Sequence, residues 1–328
     1  MATGWSGRRS GRPWHYWWQA QALEAVIDAA ERLAAVDPPA ATVERDRAVR
    51  LVAGIRRRNG GRVTTGFVDD MGWLGLALLR AEESLGLDTA APVADLLAAV
   101  RGAWNRGYGA LPWRPGDDYL NTPANGPAAI LAARRYRRSG AAADLDLARG
   151  LVHWLHRTVV DPLDGTVADG LRVRPGHARL DRTQYTYNPG LVVGADLALA
   201  AATGEVHLVG HATWVGHAAV AALTRRDGLL PDEGGGDGGL FKGILARHLA
   251  ALVARTGDRR LHAFLARWGA AVGRSAGPHG LVGPDWGRPP GGRVELSTHC
   301  AGLALLERLA ALAPDVAPLP GPAAPGSR

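Results

Sequence analysis

The stretch Phe67-Val68-Asp69-Asp70-Met71-Gly72-Trp73-Leu74-Gly75-Leu76-Ala77-Leu78-Leu79 decides how this chain folds. From Met71 onward it is apolar on nearly every side and rich in small residues, and a helix that is apolar all round must be buried. Gly190-Leu191-Val192-Val193-Gly194-Ala195 has the same character. Between such stretches lie segments charged on one face only, Val43–Arg58 and Leu145–His156 among them, as expected of a helix with one side in water. Working outward, apolar residues recur at helical spacing over 14–35, 41–58, 67–86, 91–105, 123–138, 142–158, 187–203, 206–225, 239–256, 258–274 and 295–312, and no run alternates convincingly as a strand would.

The odd-numbered segments are the kind that is apolar all round, and the even-numbered ones carry the charged stripe. Six inner helices alternating with five outer ones describe an all-α fold, an (α/α)6 toroid of helical hairpins whose last outer helix is missing or short. Links from inner to outer helices are short, as at Gly86–Ala90 and Gly257. Those from outer to inner helices are long, about 106–122, 159–186, 226–238 and 275–294, and all open onto the face where the inner helices begin. Long loops gathered on one end of a domain usually carry function. Residues 13–312 therefore read as one domain, with 1–12 a disordered N-terminus and 313–328 a disordered Pro/Gly-rich tail.

Composition removes several classes of function. With 328 residues, 47 % hydrophobic and 21 % charged, the chain is globular, and no apolar run approaches the roughly 18 residues of a membrane span. Cys300 is the only cysteine, so an intramolecular disulfide framework or a thiolate cluster is excluded. A net charge of +7 raises the question of nucleic acid, but the arginines are scattered among Asp and Glu and form no stripe. The start has an arginine pair with no apolar export core behind it, which predicts a cytoplasmic protein as written, or an extracellular one if the true start lies elsewhere. No cofactor, nucleic-acid partner or membrane partner is expected, and a monomer is, because no apolar stripe is left over on the outer helices.

Polar residues cluster where the inner helices start: Trp14–Gln19, Phe67–Trp73, Asn121–Pro127, Tyr185–Gly190, Gly239–Ile244 and Glu295–His299. Six such clusters converging on one axis make a pocket. Asp69-Asp70 is the sharpest. Adjacent Cα atoms lie about 3.8 Å apart, so two carboxylates at a helix entry can stand at the roughly 5–5.5 Å of a retaining glycosidase. Burial and repulsion would split their pKa values into a nucleophile and an acid. An acidic pair at a helix start is also a plain answer to the helix dipole, and both readings stand at this point. Asp117-Asp118 is the same dipeptide in a loop with room for water.

Eleven Trp against three Phe suit sugar stacking, and Trp17, Trp18, Trp73, Trp113 and Trp286 fall near the open face, whereas Trp154, Trp214 and Trp268 belong to outer helices and read as packing. Lys242 is the single lysine among 38 basic residues, a point charge for a carboxylate or for sugar hydroxyls. The histidines show no HExxH or paired ligand spacing, so no metal site is expected. The run Glu233-Gly234-Gly235-Gly236-Asp237-Gly238-Gly239 reads as a flexible turn over the site.

Together these motifs resemble glycoside hydrolase family 76, the bacterial endo-α-1,6-mannanases and their fungal cell-wall transglycosylase relatives. The resemblance rests on Asp69-Asp70 with Gly72-Trp73 and Ala77–Ala81, Asn125-Gly126-Pro127, Asp164-Gly165 and Asp169-Gly170, Thr186-Tyr187-Asn188 with Gly190, and Phe241–Ile244 with Arg247, and it spans about 14–310. It implies an (α/α)6 barrel and metal-free, retaining cleavage of α-1,6-mannosides. By the same resemblance Asp69 would be the nucleophile and Asp70 the general acid/base, and Asn125, Tyr187, Asn188, Phe241 and Lys242 would line the pocket beside Trp18 and Trp73. Pro189 stands where the family usually has Gln. A non-hydrolytic sugar-binding toroid and a sugar epimerase or lyase remain as alternatives, the latter needing His15, His299, Glu295 or Arg247 at the pocket.

Overall fold

The computed structural model of the chain describes residues 14–312. The expected disordered stretches 1–12 and 313–328 lie outside them. Eleven α-helices follow in order: α1 Tyr16–Val36, α2 Pro38–Arg58, α3 Val68–Leu85, α4 Ala90–Gly102, α5 Thr122–Ser139, α6 Ala142–Trp154, α7 Tyr187–Thr203, α8 Val206–Leu223, α9 Gly238–Thr256, α10 Arg259–Ser275 and α11 Leu296–Leu312. The odd helices close into a ring in the order α1-α3-α5-α7-α9-α11 and back to α1, and the even ones pack outside. The toroid is all-α, and no twelfth helix follows α11 among the described residues.

The small residues set how closely the ring can draw together. A Cβ at Gly72 would lie 2.9 Å from Pro127 Cβ, at Gly126 2.7 Å from Leu191 Cβ, at Gly190 2.8 Å from Leu245 Cα, and at Gly243 2.5 Å from Ala301 Cα. Each of these glycines sits near the start of one inner helix and touches the next, so α3 through α11 converge most tightly at one level of the barrel. At the other end, α3, α5, α7 and α9 each stop at a glycine in the left-handed region, Gly86, Gly140, Gly204 and Gly257, which turns the chain at once into the outer helix. That explains why one set of links is short and the opposite set long.

One element departs from the sequence expectation. The long loops between α4 and α5 and between α6 and α7 pair into a three-stranded antiparallel sheet of β1 Tyr119–Asn121, β2 Gly170–Arg174 and β3 His177–Asp181, in the order β1-β2-β3. Gly170 is required where β2 crosses β1, because a Cβ there would lie 2.5 Å from the Leu120 carbonyl oxygen. No described helix is long and apolar enough to cross a membrane.

Candidate active site

A cavity of about 680 Å³ opens at the end where the inner helices begin. Five of the six polar clusters contribute to it: His15, Trp17 and Trp18 from the start of α1, Asp69 and Trp73 from α3, Asn121 and Pro123 at α5, Tyr185 and Tyr187 at α7, and Asp237, Gly238 and Phe241 at α9. The sixth does not, since Glu295 instead accepts from the Gly236 N–H and the rest of its cluster stays off the wall. The small sheet adds Tyr119 and Arg172, Asp169 precedes β2, and the loop before β1 adds Trp113, Arg114 and Asp117.

One wall is aromatic. Trp17 stacks on Trp73 with ring centroids 5.9 Å apart, and Phe241 lies 6.4 Å from Trp17 and is stacked on Tyr187 at 4.0 Å with the two planes 13° from parallel. Such a surface offers flat apolar faces to a sugar ring. Trp18 stands beside it, stacked on His15 at 3.9 Å. The Trp17 and Trp18 indole N–H groups both donate to Asp237 Oδ1, at 2.8 and 2.7 Å. The glycine-rich turn thus holds a carboxylate over the aromatic wall.

The acidic pair is divided by its place on the helix. Asp69 is partly exposed and faces the cavity, whereas Asp70, one residue on, is 1 % exposed and lies behind it. Burial drives the Asp69 carboxyl upward, N–H groups of the first turn and the Trp113 indole at 3.1 Å pull it back, and the outcome is about 7. Asp70 is raised more strongly, by burial and then by the charges of Asp69 and Asp237, and its Oδ1 has no hydrogen-bond partner. Of the two, Asp69 gives up its proton first, because only Asp69 has donors to receive the charge. The dipole reading of the pair is therefore met in part by the same atoms, since Asp69 takes first-turn N–H groups without leaving the cavity.

Among the residues expected to line the pocket, Trp18, Trp73, Tyr187 and Phe241 do so. Asn125, Asn188 and Lys242 do not; they stand behind the wall and fix what is on it. Asn125 is fully buried, donates to the carbonyls of Leu111 and Asn121 at 2.9 and 2.8 Å, and accepts from the Leu111 N–H at 2.9 Å. It thereby pins the loop that carries Trp113 to Asp69. Asn188 donates to Asp169 Oδ1 at 3.1 Å. Lys242 is 1 % exposed, donates to the Pro231 carbonyl at 3.0 Å and to that of Pro284, and lies over the Trp286 ring. The lysine is a clasp between two loops, and Trp286, expected near the open face, is buried beneath it. Trp214, expected as packing, is 38 % exposed, while Trp154 and Trp268 are buried.

Two acids at the cavity were not singled out for the pocket from sequence. Asp169 accepts from the Tyr119 hydroxyl and from Asn188, and burial raises its carboxyl against those two hydrogen bonds. Glu233 accepts from the Thr186 N–H at 2.9 Å and from its hydroxyl. Asp117 reaches the rim, while its neighbour Asp118 turns away to Arg174.

A model of glycosyl hydrolase family 76 matches residues 4–313. The chain belongs to that family. Among solved structures it is similar to the GH76A alpha-1,6-mannanase from Salegentibacter sp. HEL1_6, with 33 % identity over 92 % of this chain and 91 % of that one and a TM-score of 0.84. An inactive variant of that mannanase, with two consecutive aspartates replaced by asparagine, was solved in complex with alpha-1,6-mannotriose, and resembles this chain with a TM-score of 0.85 at 32 % identity over the same shares. The Lin0763 protein from Listeria innocua is 28 % identical over 94 % of this chain and 90 % of its own, with a TM-score of 0.85. Among curated proteins, mannan endo-1,6-alpha-mannosidase DCW1 of Eremothecium gossypii is 32 % identical over 85 residues, a match spanning 25 % of this chain and 19 % of that protein. Membership of family 76 places the chain among glycosidases and their transglycosylase relatives.

Proposed function

We propose that this family 76 member is a retaining glycosidase of α-1,6-linked mannosides, with Asp69 as nucleophile and Asp70 as general acid and base. The observation that carries the reading is the unequal pair: two adjacent carboxylates beneath an aromatic cavity, each with an Oδ1 that no hydrogen bond meets, of which Asp69 faces the cavity and accepts from the Trp113 indole on Oδ2 while Asp70 is buried behind it. The Salegentibacter mannanase supports both halves of the proposal, since its inactive variants change two consecutive aspartates and bind alpha-1,6-mannotriose and alpha-1,6-mannotetrose. Here Asp117-Asp118 is also consecutive, but Asp118 is drawn off by Arg172 and Arg174 on the surface.

The chemistry follows from the two environments. The Asp69 carboxylate attacks the anomeric carbon as the glycosidic C–O bond breaks, and the departing oxygen takes the proton that Asp70 holds. A mannosyl ester on Asp69 results. Water then attacks the same carbon, gives its proton to Asp70 and releases Asp69, so two inversions return the original anomer. Asp70 must turn toward the cavity when a sugar fills it, a tightening common to catalytic contacts on substrate binding. A sugar hydroxyl in place of water would give transfer. An epimerase or lyase is disfavoured, because of the four residues it would draw on only His15 lines the cavity.

The test is incubation with end-labelled α-1,6-mannotetraose followed by chromatography. Shorter products mean hydrolysis and longer ones transfer, and both support the reading. An intact substrate at high enzyme concentration would overturn it.

A further inference from the structure

Three side chains far apart in sequence meet in the wall between α6, α7 and α8, away from the carboxylate cavity. His156, in the π turn Leu155–Val159 that ends α6, sets Nε2 2.6 Å from Asp196 Oδ1, and His211 of α8 sets Nδ1 2.7 Å from Asp196 Oδ2. The two imidazoles face one another with centroids 3.8 Å apart and planes tilted by 34°. Ligand atoms of the three residues all lie within 4.8 Å of one another. The Asp196 side chain is 0 % exposed, the imidazoles 25 % and 22 %.

We propose that His156, Asp196 and His211 bind a divalent first-row transition-metal ion, of which Zn²⁺ is the best match. The buried carboxylate supplies the first reason. Among the described residues Asp196 has no Arg or Lys ion pair, and its only partners are the two histidines. A carboxylate removed from water needs a compensating positive charge. The two rings face each other at 3.8 Å, too close to supply that charge as a pair of cations. A divalent ion held between the three side chains supplies that charge.

Ligand chemistry supplies the second reason. Two imidazole nitrogens and one carboxylate oxygen form a set that zinc takes with a fourth position left for water. The partly exposed imidazoles give that position and the path of entry. Around a tetrahedral ion with bonds of about 2.0–2.2 Å the ligand atoms stand about 3.3 Å apart, so each ring would back away from Asp196 by roughly 0.6 Å toward solvent. The proton each ring gives Asp196 moves to its outer nitrogen. The π turn is the third observation, since a helix rarely adopts that backbone and does so most often at functional positions. The ion would tie outer helices α6 and α8 to inner α7 and would take no part in sugar cleavage. With sequence separations of 40 and 15 residues, the site follows no local motif.

The test uses tag-free full-length protein dialysed against a chelator and then against buffer. Titration with Co²⁺ is expected to give visible absorption bands of a tetrahedral N/O site that saturate at one equivalent and disappear on adding Zn²⁺. Mass spectrometry should find one zinc per chain, and unfolding should move to higher temperature with it. His211→Gln and Asp196→Asn should each lose the bands and the temperature shift while keeping the far-ultraviolet dichroism of a helical protein. Absence of bands from the parent, or equal zinc in parent and both variants, would overturn the proposal, and the parent's cobalt spectrum decides even if a variant fails to fold. None of these readouts depends on mannoside turnover.

Discussion

At one end of the toroid Glu24, Asp28 and Glu31 meet Arg80, Arg247 and Arg308; at the other Asp69, Asp70, Asp169 and Asp237 meet no ion-pair partner among the described residues. Both ends hold buried carboxylates, Glu24 and Asp28 at the first and Asp70 and Asp169 at the second, and both border a cavity, the first of about 310 Å³ and the second of about 680 Å³, with Trp73 in the wall of each. Burial alone would raise Glu24, but the guanidinium groups of Arg80 and Arg247 hold it down at about 2. Asp69, with an indole N–H and backbone donors for company, rises to about 7. A paired carboxylate is fixed in one charge state and serves structure, whereas an unpaired one can exchange a proton near neutral pH. The difference between the two ends is a difference between holding the barrel together and reacting inside it.

The largest effect that could break this comparison lies in turnover. Asp69→Asn and Asp70→Asn should each lower the release of products from α-1,6-mannotetraose by at least about 10³-fold. Both variants should be no less stable than the parent at pH 8. Asp69's folded value is raised above its ordinary 3.8, so its stabilisation is present at low pH and is lost as pH rises through about 7, and the neutral amide avoids that loss. A variant that keeps a tenth of the activity would remove its residue from the mechanism. Glu24 has the opposite sign: its contribution is present above 4.5 and is lost as pH falls toward 2.

Next in size is stability at the paired end. Asp28→Asn leaves three guanidinium groups sharing too few carboxylates, and should cost about 3 kcal/mol in urea unfolding with kcat on the mannoside nearly unchanged. A loss below about 1 kcal/mol would mean that the network is slack, and a collapse of kcat would mean that the two ends are coupled through Trp73.

The pH profile sharpens the comparison at finer scale. The acid limb of kcat/KM should fall near pH 7, where Asp69 gains its proton. Trp113→Phe removes a donor to the charged form, so the limb should move up by about one unit. Asp237→Asn removes a neighbouring negative charge that raises Asp69 and should move the limb down. A limb that ignores both substitutions would belong to another group.

The smallest effect separates lining residues from those behind the wall. Phe241→Ala should raise KM several-fold through lost stacking. Lys242→Met should leave KM in place and lower stability by about 1–3 kcal/mol, because it strands the carbonyls of Pro231 and Pro284.

The helical wall was legible because its signal is periodic and repeated. Met71–Leu79 and Gly190–Ala195 declare burial on all sides, and the glycines that end α3, α5, α7 and α9 mark the short turns. The sheet was not, because β2 and β3 are five residues each, Gly-Leu-Arg-Val-Arg and His-Ala-Arg-Leu-Asp, so that each offers only two alternating apolar residues, Leu171 with Val173 and Ala178 with Leu180, and a register fixed only by pairing. Tyr119, Asp169 and Arg172 reach the cavity through that sheet or beside it, so they were hidden with it. The polar residues at the inner-helix starts were visible, but their directions were not. One step along a helix turns a side chain by about 100°, enough to place Asp69 in the cavity and Asp70 behind it, or Tyr187 on the wall and Asn188 beneath Asp169. Asn125 and Lys242 look in sequence like sugar ligands and are buried clasps, because a polar residue beside a long loop can serve the loop's backbone as readily as a substrate.

The account turns on an ester formed at Asp69, and the anomer first released tests it most directly. Proton NMR of a fresh reaction on reduced α-1,6-mannotetraose, read before mutarotation, should show the α anomer accumulating first, since two displacements restore the configuration. The β anomer first would mean a single displacement by water, and would contradict the assignment of the acidic pair.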